Sequence, residues 1–233
     1  QQCRVDSKAV VYTIRVHALG VGGWGRDRIF PAGKMGKYLS GDQCFSVPGK
    51  NEKTSFDPKS AYGISKVGSH HLIKSYREAF KMHSSTGILF NHESPRKDIQ
   101  FVGRKISFSV ARIKKGLQKR LELGNLKSKR DWGHAKDYVN VMYKIMNYKI
   151  ADDFVVASKK NYSVKDFINL TCKNLGIKIL WSGKGLKETG KDSKGRTLIN
   201  VNKKFFRPSD VNNLFGNPSK AIRKLKWKKK YNL

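Results

Sequence analysis

Thr86-Gly87-Ile88-Leu89-Phe90 is a short apolar run with no charge and no polar alternation, the pattern of a strand buried on both faces. Just before it, Ser60 to Phe80 reads as one strong helix, and a further helix is predicted from about Phe101 to Leu117. Outward from this centre the alternation continues. Arg120 to Leu123 is a predicted strand, His134 to Tyr148 a helix and Asp153 to Ala157 a strand. Ser163 then caps a helix, with Asp166 at the third following position completing a capping-box pattern. Ile177 to Trp181 and Leu198 to Val201 are short strands, and two helices follow Pro208 and Pro218. Towards the N-terminus, Val10 to Leu19 reads as a helix ended by the Gly-rich stretch Gly20 to Gly25. Arg28 to Ala32 reads as a strand, and residues 33–57 as a long loop. Strands and helices alternating at these lengths define an α/β fold with a mainly parallel sheet.

The 233 residues suffice for one large α/β domain or two small ones, and 38% hydrophobic residues allow a packed core. No apolar run approaches bilayer-spanning length, and the opening stretch lacks the apolar segment of a signal peptide. The first residue is Gln, so the sequence is expected to be a processed product or a fragment. Cys3, Cys44 and Cys172 are widely spaced with no metal-ligand pattern, which speaks against a zinc site or a disulfide framework and for a reducing compartment.

Charge is the dominant bulk property: 49 Lys and Arg against 17 acids, a formal net charge of +32. The basic residues cluster at Lys114-Lys115, at Lys127, Lys129 and Arg130, at Lys159-Lys160 and at Lys203-Lys204. A final cluster comprises Arg223, Lys224, Lys226, Lys228, Lys229 and Lys230, with Trp227 among them. Each alone also reads as a solvated face. Together they point to a polyanion, with phosphate backbone as the expected partner and an anionic membrane surface as the weaker one.

Chemistry-bearing residues appear first in Tyr62-Gly63-Ile64-Ser65-Lys66, where Tyr and Lys four apart share a helix face. The ammonium can then lower the phenol's pKa so that Tyr serves as a base. The pair alone is weak evidence in a Lys-rich chain. It is followed, however, by Gly87-Ile88-Leu89-Phe90-Asn91-His92-Glu93-Ser94-Pro95-Arg96 and Leu123-Gly124-Asn125-Leu126. Arg130-Asp131-Trp132-Gly133-His134-Ala135-Lys136-Asp137-Tyr138 and Phe206-Arg207-Pro208 come next. These ordered strings closely resemble the GDP-mannose 4,6-dehydratase family, over nearly the whole chain from about Val5. The resemblance implies a partial Rossmann-like parallel sheet, the C-terminal half of a nucleotide-binding domain, with a small C-terminal substrate-type α/β region. On this basis residues 1–117 are expected to be the nucleotide-binding remnant, 118–222 the substrate-type region and 223–233 a basic tail.

The resemblance also implies roles. Tyr62 would take the sugar hydroxyl proton, with Lys66 as its partner and ribose ligand. His92 would line the NADP site, and Lys97 stands where the family has a second Arg. Asn91, Lys105, Arg130 and Arg207 would contact the nucleotide sugar, and Asp210 stands where the family has Glu. Each has a plainer alternative: Asn91 and His92 end a buried strand, and Arg130-Asp131 could be a local ion pair.

Against activity stand two expected losses. Gly20-Val21-Gly22-Gly23-Trp24-Gly25 does not read as a dinucleotide-binding turn, because the segment before it reads as a helix. About three βαβ units of ~30 residues each are missing by comparison with the family. The family's Thr and Glu after its fifth strand align with Lys34 and Gly36, or in a shifted register with Ser40 and Asp42. The expectation is therefore a catalytically inactive protein with ancestral NADP lost. It would bind ribosomal RNA and neighbouring ribosomal proteins. The mitochondrial matrix is its expected setting, with the cytoplasm as alternative, and a partner or upstream sequence would cover the exposed half-sheet. The alternative is an active NADP-dependent GDP-mannose 4,6-dehydratase whose N-terminal part is absent from the sequence. A third class is an accessory subunit of a protein complex.

Overall fold

A computed structural model describes residues 10–15, 50–58, 61–206 and 213–233. The deciding run forms β2 (Ser84–Leu89), buried along its whole length. It is the centre of a three-stranded parallel sheet, between β1 (Val10–Arg15) and β7 (Asp153–Val156). The expected helix at Val10 to Leu19 is thus corrected to a strand over Val10–Arg15. Val10, Val11, Thr13 and Ile14 are β-branched, which disfavours a helix and suits a pleated surface. Arg28 to Ala32 and Gly20 to Gly25 lie outside the described residues. The ground for setting that Gly-rich stretch aside, a preceding helix, no longer holds.

Side chains alternate between the two faces of the sheet. Ile88, Phe90, Val155 and Ala157 pack with Val67 of α1 (Ala61–Ala79). Leu89, Phe154 and Val156 face the opposite way, onto Val141 and Ile145 of α3 (Ala135–Met146). Ala221 and Leu225 of α5 (Ser219–Leu225) complete that second layer. Cover on both faces is what an uninterrupted apolar strand requires.

A separate core joins α2 (Val102–Lys114) and α4 (Val164–Asn174) to a four-stranded mixed sheet, ordered β4-β11-β10-β9. Its strands are β4 (Leu121–Leu123), β9 (Leu180–Ser182), β10 (Thr189–Lys191) and β11 (Thr197–Val201). The capping box at Ser163 forms in both directions, Ser163 Oγ accepting from Asp166 N and Asp166 Oδ2 from Ser163 N. The two cores interleave along the chain: α2 lies in the second, whereas α3 and β7 return to the first. Short ribbons connect them, β3 (Asn91–Glu93) with β6 (Trp132–His134), and β5 (Lys129–Arg130) with β8 (Tyr162–Ser163) and β12 (Asn213–Leu214). The expected helix after Pro208 begins outside the described residues, and at Asn213 the chain is a strand.

The C-terminal segment is docked against this body. Trp227 is 1% exposed and packs with Tyr138, Val141 and Phe154. Placed in the sequence among basic residues expected to face a polyanion, the ring is instead enclosed by protein. The main-chain N–H groups of Lys230 and Tyr231 donate to the Asp137 carboxylate, and Tyr231 stacks on His134 with centroids 4.5 Å apart. Truncating a buried Trp costs roughly 3–5 kcal/mol. Trp227→Ala should therefore lower the urea midpoint strongly. Trp227→Phe should recover much of it, because the indole N–H has no partner among the described residues. Equal midpoints for W227A and the parent chain would show the segment undocked.

Candidate functional site

In parallel α/β sheets, ligands bind beyond the carboxyl ends of the strands, where the chain turns into loops and main-chain dipoles converge. Here β2 runs out into Asn91 and His92, and β7 into Ser158 to Lys160. Tyr62 and Lys66 stand in the first turns of α1, with the Lys66 ammonium 5.2 Å from the Tyr62 ring centroid. The expected one-face geometry is therefore realised. Tyr62 is 37% exposed, open enough to meet a ligand.

Asn91 is 2% exposed, and neither its amide nitrogen nor its oxygen has a hydrogen-bond partner among the described residues. A buried amide left unmatched costs about 1–3 kcal/mol per group. Such an amide needs a specific reason, and a polar ligand is one. His92 is half-buried, its Nδ1 3.0 Å from the Phe90 carbonyl oxygen; a carbonyl only accepts, so Nδ1 carries the proton. The ring lies against Tyr138 with centroids 4.6 Å apart.

Lys97 is engaged within the chain. Its ammonium donates to Glu93 Oε1 at 2.6 Å and to the His92 carbonyl at 3.1 Å. Glu93 in turn lies over Gly103, where a Cβ would come within 2.8 Å of its carboxyl carbon. The absence of a side chain at Gly103 thus lets a carboxylate rest on the N-terminal turn of α2, a turn with no acidic residue and no side-chain cap of its own. This places Lys97 in the loop's internal wiring, whatever further contact it makes.

Lys105 donates to the Glu122 carbonyl at 2.9 Å and sits 3.9 Å over the Phe205 ring. Burial pulls its pKa down, and Glu122 opposes that. Arg130 is buried on β5, with Nη1 donating to the Lys129 carbonyl at 2.8 Å. Arg207 and Asp210 lie outside the described residues, as do Lys34, Gly36, Ser40 and Asp42. Lys114, Lys115, Lys127, Lys129, Lys159, Lys160, Lys203, Lys204, Arg223, Lys224, Lys226, Lys228 and Lys230 are exposed; Lys229 is half-buried. They are distributed over the surface of both cores and the C-terminal segment.

Asp131 was read only as one half of a local ion pair. Its carboxylate instead gathers three main-chain donors: Ser158 N at 2.6 Å, Lys159 N at 3.0 Å and Gly216 N at 3.4 Å. Burial pushes its pKa up to about 6, against the pull of these donors. The sequence carried no local signal for this, since the partners are 27 to 85 residues away. Tyr138 and Gly133 were likewise part of a quoted string without a role. A Cβ at Gly133 would collide with the Tyr138 ring, so glycine there is required by that close approach.

The sheet, the Tyr–Lys helix face and the polar loops at the strand ends define the class: an extended short-chain dehydrogenase of Rossmann type. The backbone resembles the RMD protein of Pseudomonas aeruginosa complexed with NADPH, with a TM-score of 0.69. That match covers 98% of this chain and 63% of the other, at 18% identity. The UDP-glucose 4-epimerase of Thermus thermophilus complexed with NAD gives 0.65, over 97% and 60%, at 15% identity. Within this class the chain belongs to the GDP-mannose 4,6 dehydratase family, whose model matches residues 41–233. GDP-mannose 4,6 dehydratase 2 of Caenorhabditis elegans is 45% identical over 181 residues, 78% of this chain and 47% of the relative. The human GDP-mannose 4,6 dehydratase is 43% identical over 183 residues, 78% of this chain and 49% of the relative. The chain spans about half the length of the curated relatives it matches.

These findings overturn three expectations. A catalytically inactive, ribosomal RNA-binding protein is contradicted by relatives that are named as dehydratases at 40–45% identity. The expected pseudoenzyme falls with it. The expected absence of a cofactor is contradicted by structural neighbours solved with NADPH and NAD. Surface charge says little about fold-borne chemistry.

Replacing Asp131 by Asn leaves one acceptor oxygen where two receive three N–H donors. Asp131→Asn should therefore cost about 1–3 kcal/mol of stability, read as a lower urea midpoint at neutral pH. An unchanged midpoint would mean that the three donors do not depend on the carboxylate.

Proposed function

We propose that this chain carries the sugar-facing half of an NADP-dependent GDP-mannose 4,6-dehydratase. Asn91 carries the proposal: a buried amide with both atoms unmatched among the described residues, at the carboxyl end of the central strand, is placed to receive a polar ligand. Family membership supplies the ligand's identity. In this reading Asn91, Lys105, Arg130, Arg207 and Asp210 hold the nucleotide sugar.

Tyr62 takes the proton from the sugar hydroxyl, and the Lys66 ammonium beside the ring stabilises negative charge as it develops on the phenol oxygen. The exposed Tyr62–Lys66 face and the ring of His92 suit the nicotinamide end of NADP; Lys66 would meet its ribose. When bound, NADP supplies acceptance and return of a hydride. Among the described residues there is no Gly-rich turn between a strand and a helix to receive its pyrophosphate. The positions aligned with the family's Thr and Glu, Lys34 and Gly36 or in the shifted register Ser40 and Asp42, lie outside the described residues. What the described residues contribute is binding, orientation and the proton at Tyr62.

The high positive charge has a role in this reading as well. Both the nucleotide sugar and NADP are polyanions, and a positive field raises their encounter rate.

GDP-mannose and NADP incubated with the protein should yield a product lighter by one water, seen by mass spectrometry. Tyr62→Phe should lower turnover by about 10²–10⁴-fold, the scale of a lost general base. Dehydration by Y62F at the parent rate would remove Tyr62 from the chemistry. No dehydration by the parent protein, and no binding of GDP-mannose, would overturn the proposal.

A further inference from the structure

Four observations converge on Tyr138, a residue without a part in the chemistry above. Its ring is 1% exposed and lies on His92, centroids 4.6 Å apart and planes 32° apart. Gly133, paired with His92 across the β3–β6 ribbon, leaves the space that the ring occupies. The phenol oxygen has no hydrogen-bond partner among the described residues, so the contact is made by the ring and not by the hydroxyl. The residue before it, Asp137, is buried and accepts the N–H groups of Lys230 and Tyr231 from the C-terminal segment.

His92 is thereby fixed in two ways. The Phe90 carbonyl sets the proton on Nδ1, and the Tyr138 ring sets the plane of the imidazole. Trp227, from the same C-terminal segment, packs in one core with Tyr138. The segment therefore grips the first turn of α3 from its polar side through Asp137 and from its apolar side through Trp227.

We propose that Tyr138 is the positioning residue for His92, and that the docked C-terminal segment holds Tyr138 in place through Asp137. The proposal deepens the NADP reading above and rests on it for its ligand. Tyr138 touches neither substrate nor cofactor; it acts by presenting one tautomer and one orientation of the imidazole to the nicotinamide end. An aromatic ring suffices for that, and a flexible aliphatic side chain of similar bulk does not.

The test compares Tyr138→Leu, Tyr138→Phe and Asp137→Asn with the parent protein. One readout needs no cofactor: the ring ¹³C and ¹⁵N shifts of His92, which report its tautomer. The other is NADPH affinity by fluorescence. Y138L should move the His92 shifts towards a tautomer mixture and weaken NADPH binding about 10-fold, the upper scale of one lost aromatic pair. Y138F should bring both back to within about 2-fold, and D137N should fall between. Should Y138L fail to fold, Gly133→Ala, whose new methyl displaces the Tyr138 ring, reads the same two observables. A folded Y138L with parent-like His92 shifts and affinity would overturn the proposal and leave Tyr138 as core packing alone. Parent protein that binds no NADPH would overturn the cofactor reading instead, and the His92 shifts would still decide the link to Tyr138.

Discussion

The Asp131 carboxylate ties together what the rest of the site depends on. Its two oxygens collect N–H groups from the end of β7 and from Gly216, two loops that local structure alone would leave with unmatched donors. Asp131 sits between β5 and β6, the strand that pairs with β3 and so lies beside Asn91 and His92. The arrangement is costly. Burial pushes the carboxyl's pKa up to about 6, so near neutrality the protein holds a charge that its surroundings resist. Three main-chain donors in fixed geometry are what make that charge tolerable.

Much of the framework was legible from periodicity. The run from Thr86 to Phe90 could only be a strand covered on both faces, and the structure supplies a layer on each. The capping box at Ser163 formed as its spacing implied. Val10 to Leu19 misled because a loose apolar pattern fits either period over so few residues; the β-branched run Val10-Val11 and Thr13-Ile14 was the better guide. The strand Thr189–Lys191 was missed because Gly190 and two polar neighbours carry no apolar alternation, and it exists by pairing on both sides.

The site was legible in its residue types but not in its wiring. Tyr62 and Lys66 stood out by spacing only together with the strings that follow them. Lys97 also has a partner within its own loop, Glu93 four positions back, which its residue type alone did not announce. The C-terminal cluster looked like a loose basic tail. One tryptophan among the lysines outweighed them, since burying an indole gains more than several solvated ammonium groups lose by sitting near the surface. Charge counted along a chain does not reveal which apolar residue anchors it.

The carboxylate of Glu93 resting on Gly103 has a consequence for how the molecule assembles. Helix α2 carries no acid in its first turn and no side chain that caps it, so the negative group that complements its dipole arrives from β3, in the ribbon between the two cores. A segment of 13 residues with that deficit is marginal by itself. Its helicity is thus borrowed from outside the helix, and the second core depends through α2 on where β3 lies.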